Sequence, residues 1–106
     1  QLEIKIDSRI QEINFGKFEG IVNNEEFQYY KQNHGLHYPG GESLFQVVYR
    51  VYSFLEELEN KYPDKNILVV CHGGIVRVIH SYFQDMTNEE LMTWLPENCC
   101  IQSYEK

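Results

Sequence analysis

The stretch Val69-Val70-Cys71-His72-Gly73-Gly74-Ile75-Val76-Arg77 holds the residue types best placed to do chemistry. An apolar run ends on a polar residue, and two glycines lead into a helix-like pattern. Open α/β sheets take ligands at the carboxyl ends of their strands. A helix N-terminus presents unsatisfied N–H groups and favours anions, and Gly73 and Gly74 carry no side chain to keep an anion from those amides. The pattern reads as a phosphate or carboxylate pocket with His72 pointed at it. It reads equally well as a tight turn in which His72 packs and hydrogen-bonds at a strand end. A third chemistry fits the same loop. Cys71 and Arg77 have the C-x5-R spacing at which a thiolate attacks phosphorus while Arg grips the phosphate oxygens, and a helix N-terminus can lower a cysteine pKa. Two features oppose it: Val70 stands where such phosphatases carry His, and Val78 where they carry Ser or Thr. Cys71 also continues the pattern of a buried strand, where free cysteine is commonly an inert small hydrophobe.

Other side chains read more plainly. His34 and His37 have H-x-x-H spacing, but no Cys or carboxylate cluster completes a site, so no metal is expected. Ser43 precedes an amphipathic run and is explained fully as a helix N-cap. Arg50 and Arg77 lie within helical patterns and read as ion-pair partners. The acidic run Glu56, Glu57, Glu59 reads as a solvated helix face.

The elements that must position these residues follow from periodicity. Leu2, Ile4 and Ile6 alternate with charged residues, predicting a strand over 2–6 with one face buried. Residues 7–22 have no sustained period and read as a structured loop. Asn23 or Asn24 caps a short helix over 25–32, and Pro39, Gly40 and Gly41 mark a loop. Leu44, Val47, Val48, Val51, Leu55 and Leu58 form the stripe of a long helix over 43–61, stopped by Pro63. Ile67 to Cys71 is continuously apolar, as in an interior parallel strand covered on both faces. A second amphipathic helix runs from Gly73 to about Gln84. Thr87 and Glu90 form a capping-box pattern for a short helix over 88–94. Residues 98–104 read as a final strand. Strands alternating with helices predict an α/β class.

Composition sets the frame. The chain has 106 residues, enough for one small domain. Hydrophobic residues make up 42% and charged residues 24%, which excludes disorder, collagen and coiled coil. The net charge of −7 and the lack of basic clusters argue against nucleic acid or an anionic membrane as partner. Cys71, Cys99 and Cys100 make a poor disulfide framework and fit reduced thiols in the cytoplasm. No apolar run approaches the roughly 20 residues that span a bilayer.

Three ordered segments carry a family resemblance. Arg9-Ile10-Gln11-Glu12-Ile13-Asn14-Phe15-Gly16-Lys17-Phe18-Glu19-Gly20 resembles the R-L-x-E-x-x-F-G-x-W-E-G segment of the histidine phosphatase superfamily, the phosphoglycerate-mutase-like enzymes. Pro39-Gly40-Gly41-Glu42-Ser43, followed by Arg50, is similar to that family's P-x-G-E-S…R segment. Cys71-His72-Gly73-Gly74 resembles its H-G-G turn, and Asn98-Cys99-Cys100-Ile101 its last strands. The resemblance covers essentially the whole chain, with one departure. The family opens on a strand ending in R-H-G, whose His takes the phosphoryl group. None of the four histidines, His34, His37, His72 and His80, follows an Arg. The sequence therefore resembles the C-terminal portion of a single family domain, with the R-H-G portion outside it.

The resemblance implies a three-layer α/β/α sandwich with a mostly parallel sheet, here incomplete. It implies a phosphorylated small-molecule substrate and no cofactor. His72 would be the second active-site His, steadying the transferring phosphoryl group. Gly73 would offer a backbone N–H to the same oxygens. Glu12 would protonate the leaving oxygen and later activate water. Arg9, Glu42 and Ser43 are secondary candidates: Arg9 for a phosphate or, more simply, a carboxylate, Glu42 as a brace for the pocket loops. The leading expectation is a phosphomonoesterase or mutase working through phosphohistidine, with the 106-residue chain alone inactive. A non-catalytic phosphate-binding or interaction module is the alternative, and a cysteine phosphatase using Cys71 and Arg77 the third. The strand at 67–71 would have open edges, so a strand-pairing dimer or a companion N-terminal half is expected. A compact monomer with 2–6 paired directly to 67–71 is the other solution.

Overall fold

A computed structural model of the chain describes residues 3–20, 24–96 and 102–105. Four α-helices follow in order: α1 (Glu25–Gln32), α2 (Leu44–Lys61), α3 (Gly73–Phe83) and α4 (Asn88–Thr93). Two short 3-10 turns, Ser8–Ile10 and Gly16–Phe18, shape the segment before α1.

Three of these four helices begin where a side chain can satisfy free N–H groups. The Asn24 side chain accepts from the Glu26 and Phe27 amides. Ser43, itself buried, caps α2 in a reciprocal box with Gln46. Thr87 and Glu90 do the same for α4. α3 differs: its N-cap is His72, whose side chain makes no capping bond.

The main core lies between α2 and α3. Val47, Val51, Phe54 and Leu55 of α2 meet Ile75, Val78 and Ile79 of α3, all buried. Leu44, Val48 and Leu58 pack at its margin, so the expected stripe of α2 is the one buried, with Phe54 added. The Tyr52 and Ser81 hydroxyls, 2.8 Å apart, tie the two helices together. A second, aromatic core holds the loops to α1: Phe18 and Tyr38 are buried beside Phe15, Phe27 and Tyr30.

The structure overturns the expected sheet. Among the described residues there is no strand, and the three-layer α/β/α sandwich with a mostly parallel sheet is not present. Ile4 and Ile6, expected to face a core, are 89% and 96% exposed. The 67–71 segment is not covered on both faces. Val69 and Cys71 pack on the helical core, while Leu68 and Val70 are 73% and 81% exposed. The physical reason is that strand backbone is satisfied only by neighbouring strands, and the described residues place none beside either segment. The direct pairing of 2–6 with 67–71 is likewise not seen among the described residues. The expected strand over 98–104 falls mostly outside the described residues. Of its end, Tyr104 stacks on Phe83 with ring centroids 4.8 Å apart. No helix among the described residues is long and apolar enough to cross a membrane.

Candidate active site

The loop from Arg9 to Phe15 has no regular structure to hold it, so side chains do. Arg50, on the second turn of α2, donates from Nε and Nη2 to the two carboxylate oxygens of Glu42 at 2.9 and 3.0 Å. Its Nη1 donates to the Arg9 carbonyl at 2.7 Å and Nη2 also reaches the Glu12 carbonyl at 3.3 Å. Glu42 in turn accepts from the Asn14 amide at 2.9 Å. A planar fork suits this task, because one guanidinium can serve a carboxylate and two carbonyls together. The hydrogen bonds from Arg50, with the Asn14 amide, hold the Glu42 carboxyl below its ordinary pKa despite partial burial.

The same loop interlocks with the 38–42 turn. Lys17 N donates to Pro39 O and Glu42 N to Asn14 O, each at 2.9 Å. The backbones come so close that a Cβ at Gly16 would overlap the Pro39 carbonyl and one at Gly41 the Asn14 carbonyl. Gly16 also has φ +58, a conformation that glycine adopts at little cost.

This scaffold delivers the Glu12 side chain to the start of α3. The carboxylate accepts from the Ile13 amide at 2.9 Å. Its Oε1 would lie 3.0 Å from a Cβ at Gly74, so Gly74 is the surface against which the carboxylate rests. His72, exposed at the N-cap, immediately precedes that turn. Gly73 opens the helix, where its N–H has no intrahelical acceptor. The chemistry available here is a carboxyl group set beside a helix end that favours an anion.

The secondary candidates are accounted for. Arg9 pairs with Asp7 at 2.7 Å and Glu57 at 2.9 Å, and lies over the Phe54 ring. It is an ion-pair residue in this structure. Ser43 is the α2 cap, and Glu42 braces the loop. Cys71 is half-buried; burial raises its thiol pKa and the Glu12 carboxylate adds to the rise. A thiol so placed resists forming the thiolate that nucleophilic attack needs. No group of three or more His, Cys, Asp or Glu able to hold a metal occurs among the described residues.

Arg77 departs from the ion-pair expectation. Its Nε donates to the Trp94 carbonyl at 2.6 Å, and it has no ion pair among the described residues. Burial pulls its pKa down, while the nearby Glu12 and Tyr38 work against that pull. Arg77 and Glu12 line one cavity of about 250 Å³, together with Gly74, Tyr38, Lys31 and His34. Sequence reasoning missed this grouping. The available signal was helical spacing: Arg77 lies three residues after Gly74, hence on the same face of α3.

A 6-phosphofructo-2-kinase/fructose-2,6-bisphosphatase of Aquarana catesbeiana is 40% identical over 68 residues, covering 63% of this chain and 14% of the relative. The human 6-phosphofructo-2-kinase/fructose-2,6-bisphosphatase 1 is 31% identical over 90 residues, covering 77% and 18%. Phosphoserine phosphatase 1 of Hydrogenobacter thermophilus is 31% identical over 87 residues, covering 74% and 41%. The chain thus spans between 14% and 41% of the length of these relatives. The sequence profile of the histidine phosphatase superfamily (branch 1) matches residues 1–105. Because that profile covers all but the last residue of the sequence, the chain belongs to the histidine phosphatase superfamily, branch 1.

Proposed function

We propose that this chain supplies the acid and the second histidine of a site that hydrolyses or transfers a phosphomonoester through a phosphohistidine. Glu12 gives its proton to the leaving oxygen as the P–O bond breaks. His72 and the Gly73 N–H hold the phosphoryl oxygens, whose charge builds in the transition state. The phosphoryl group passes to a nucleophilic histidine that is not among these 106 residues, because none of the four histidines lies in an R-H-G sequence. Water activated by Glu12 then releases phosphate, the hydrolase outcome. Transfer to a second hydroxyl is the isomerase outcome. The names of the relatives, fructose-2,6-bisphosphatase and phosphoserine phosphatase, favour hydrolysis. The site needs no cofactor in this scheme, and the free thiol of Cys71 suits the reducing cytoplasm.

The observation that carries this reading is the Glu12 carboxylate held against Gly74, one turn of backbone from His72. The histidine mechanism also ranks above the cysteine one, since burial, with the Glu12 carboxylate adding to it, opposes a Cys71 thiolate. The test is an orthovanadate titration of the 106-residue chain followed by NMR of the histidine rings. Saturable binding is expected to perturb His72, to vanish in His72→Ala and to persist in Cys71→Ser. The chain is expected to show no turnover and no acid-labile phosphohistidine. In any preparation that does turn over, His72→Ala should cost about 10²-fold or more, as loss of a transition-state donor does. Vanadate binding that depends on Cys71 and ignores His72 would overturn the mechanism. Vanadate binding at His72 by a preparation that includes an R-H-G histidine and still shows no turnover would favour a phosphate-binding module.

A further inference from the structure

The cavity beside Glu12 has a character of its own. Apolar residues make most of its wall, among them Phe15, Phe27, Leu36, Leu44, Leu91 and Met92. The aromatic part is preset: Phe15 meets Phe27 edge-on with centroids 5.4 Å apart, and Tyr38 edge-on at 5.1 Å. Rings locked in this way lose little freedom when another ring joins them. The charged groups come from separate elements: Arg77 from α3, Glu12 from the loop that rests on Gly74, and Lys31 and His34 from the end of α1 and the loop after it. Arg77 has its Nε committed to Trp94 and its charge faced by Glu12. An apolar cavity of ~150 Å³ already binds benzene, so about 250 Å³ holds an aromatic ring with room for a short substituent.

We infer that this cavity receives the alcohol half of the substrate, and that the alcohol is a ring-bearing, largely apolar one, such as a phenol or benzylic alcohol. The inference rests on the proposed phosphomonoester chemistry, because the ring enters the cavity only if the phosphate lies at the 72–74 turn. Glu12 lines the cavity and also rests against Gly74 of that turn, so it can serve the ester oxygen between the two. A hexose in the same place would bring several hydroxyls against phenylalanine, leucine and methionine side chains. Hydroxyls moved out of water without partners cost binding energy. Lys31, His34 and the hydroxyls of Tyr30 and Tyr38 are the further polar groups of the lining, suited to one polar or anionic substituent on the ring rather than to the full set of hydroxyls of a sugar.

Calorimetry on the 106-residue chain decides the matter, with inorganic phosphate, phenyl phosphate, glucose 6-phosphate and fructose 1,6-bisphosphate as probes. Phenyl phosphate is expected to bind about tenfold or more tightly than inorganic phosphate or glucose 6-phosphate, the scale of burying one ring. Leu36→Ser, at a residue already 38% exposed, should bring the ratio of phenyl phosphate to phosphate affinity toward one without unfolding the chain. Met92→Lys is a second variant with the same expected direction. Equal affinities for phosphate and phenyl phosphate would overturn the inference and leave the phosphate site standing. Tightest binding of the bisphosphate would overturn it in favour of a second anion site at Lys31, His34 and Arg77. Absence of binding by all four probes would overturn the phosphate site itself.

Discussion

Arg50 is the side chain on which the site's geometry turns, although it touches no reacting atom. It spends its donors on Glu42 and on the carbonyls of Arg9 and Glu12, so the loop has one orientation. Arg50→Met would leave the Glu42 carboxylate and two carbonyls without their donor in a partly buried place. A loss of about 2–3 kcal/mol is expected, below the cost of a fully buried pair, and urea unfolding measures it. The pH dependence has a definite sign. The folded Glu42 pKa is depressed, so its contribution is fully present above its ordinary value of 4.5 and is lost as pH falls through the lower folded value. Glu42→Gln should flatten the acid limb of a stability–pH curve below about 4.5. Gly74 offers a more direct probe of Glu12. An added methyl would sit 3.0 Å from the Glu12 carboxylate, so Gly74→Ala should displace it. The expected reading is a shifted Glu12 carboxyl resonance with helix α3 intact by circular dichroism.

At the scale of elements, helices were legible and strands were not. Thr87 and Glu90 announce α4, Ser43 announces α2, and the stripe from Leu44 to Leu58 states which face of α2 is buried. These signals are local: a cap, its partner and the repeat lie within one or two turns. Thr87→Ala should therefore cost about 1 kcal/mol, the usual worth of a cap, seen as a lowered midpoint in thermal unfolding. The 2–6 and 67–71 patterns carry a different kind of information. Alternation, or an apolar run, says that faces want covering, but the cover comes from strands elsewhere. In this structure 67–71 keeps the alternation, with Val69 and Cys71 inward, and lacks the second layer. The site shows the same division. His72, Gly73 and Glu12 stand in motif segments and could be singled out. The cavity joins Tyr38, Gly74 and Arg77 with residues of α1 and α4, and no local pattern states that assembly.

At the scale of the whole molecule, the open apolar rows are the dominant unsettled energy. Ile4, Ile6, Leu68 and Val70 are all at least 73% exposed. Uncovered apolar residues on extended backbone are templates for pairing with another chain. Net charge of −7 opposes self-association at long range, but the first segment carries a local remedy. In an antiparallel pair centred on Ile4, Glu3 of one copy faces Lys5 of the other, twice, and isoleucine meets isoleucine. Opposite charges directly across a strand pair each contribute roughly 0.2–1 kcal/mol. Among the described residues Lys5 donates to the Tyr62 hydroxyl at 3.2 Å, an exposed bond that water can replace. The expected outcome is a dimer whose population rises with concentration in sedimentation equilibrium. Glu3→Lys should weaken it by placing like charges across the pair, and Glu3→Lys with Lys5→Glu should restore it. Leu68→Lys tests the other row, and should lower the dimer fraction if both rows are covered together. A chain that stays monomeric at the highest accessible concentration, or a dimer indifferent to reversing Glu3, would show that these rows are not joined to a second copy.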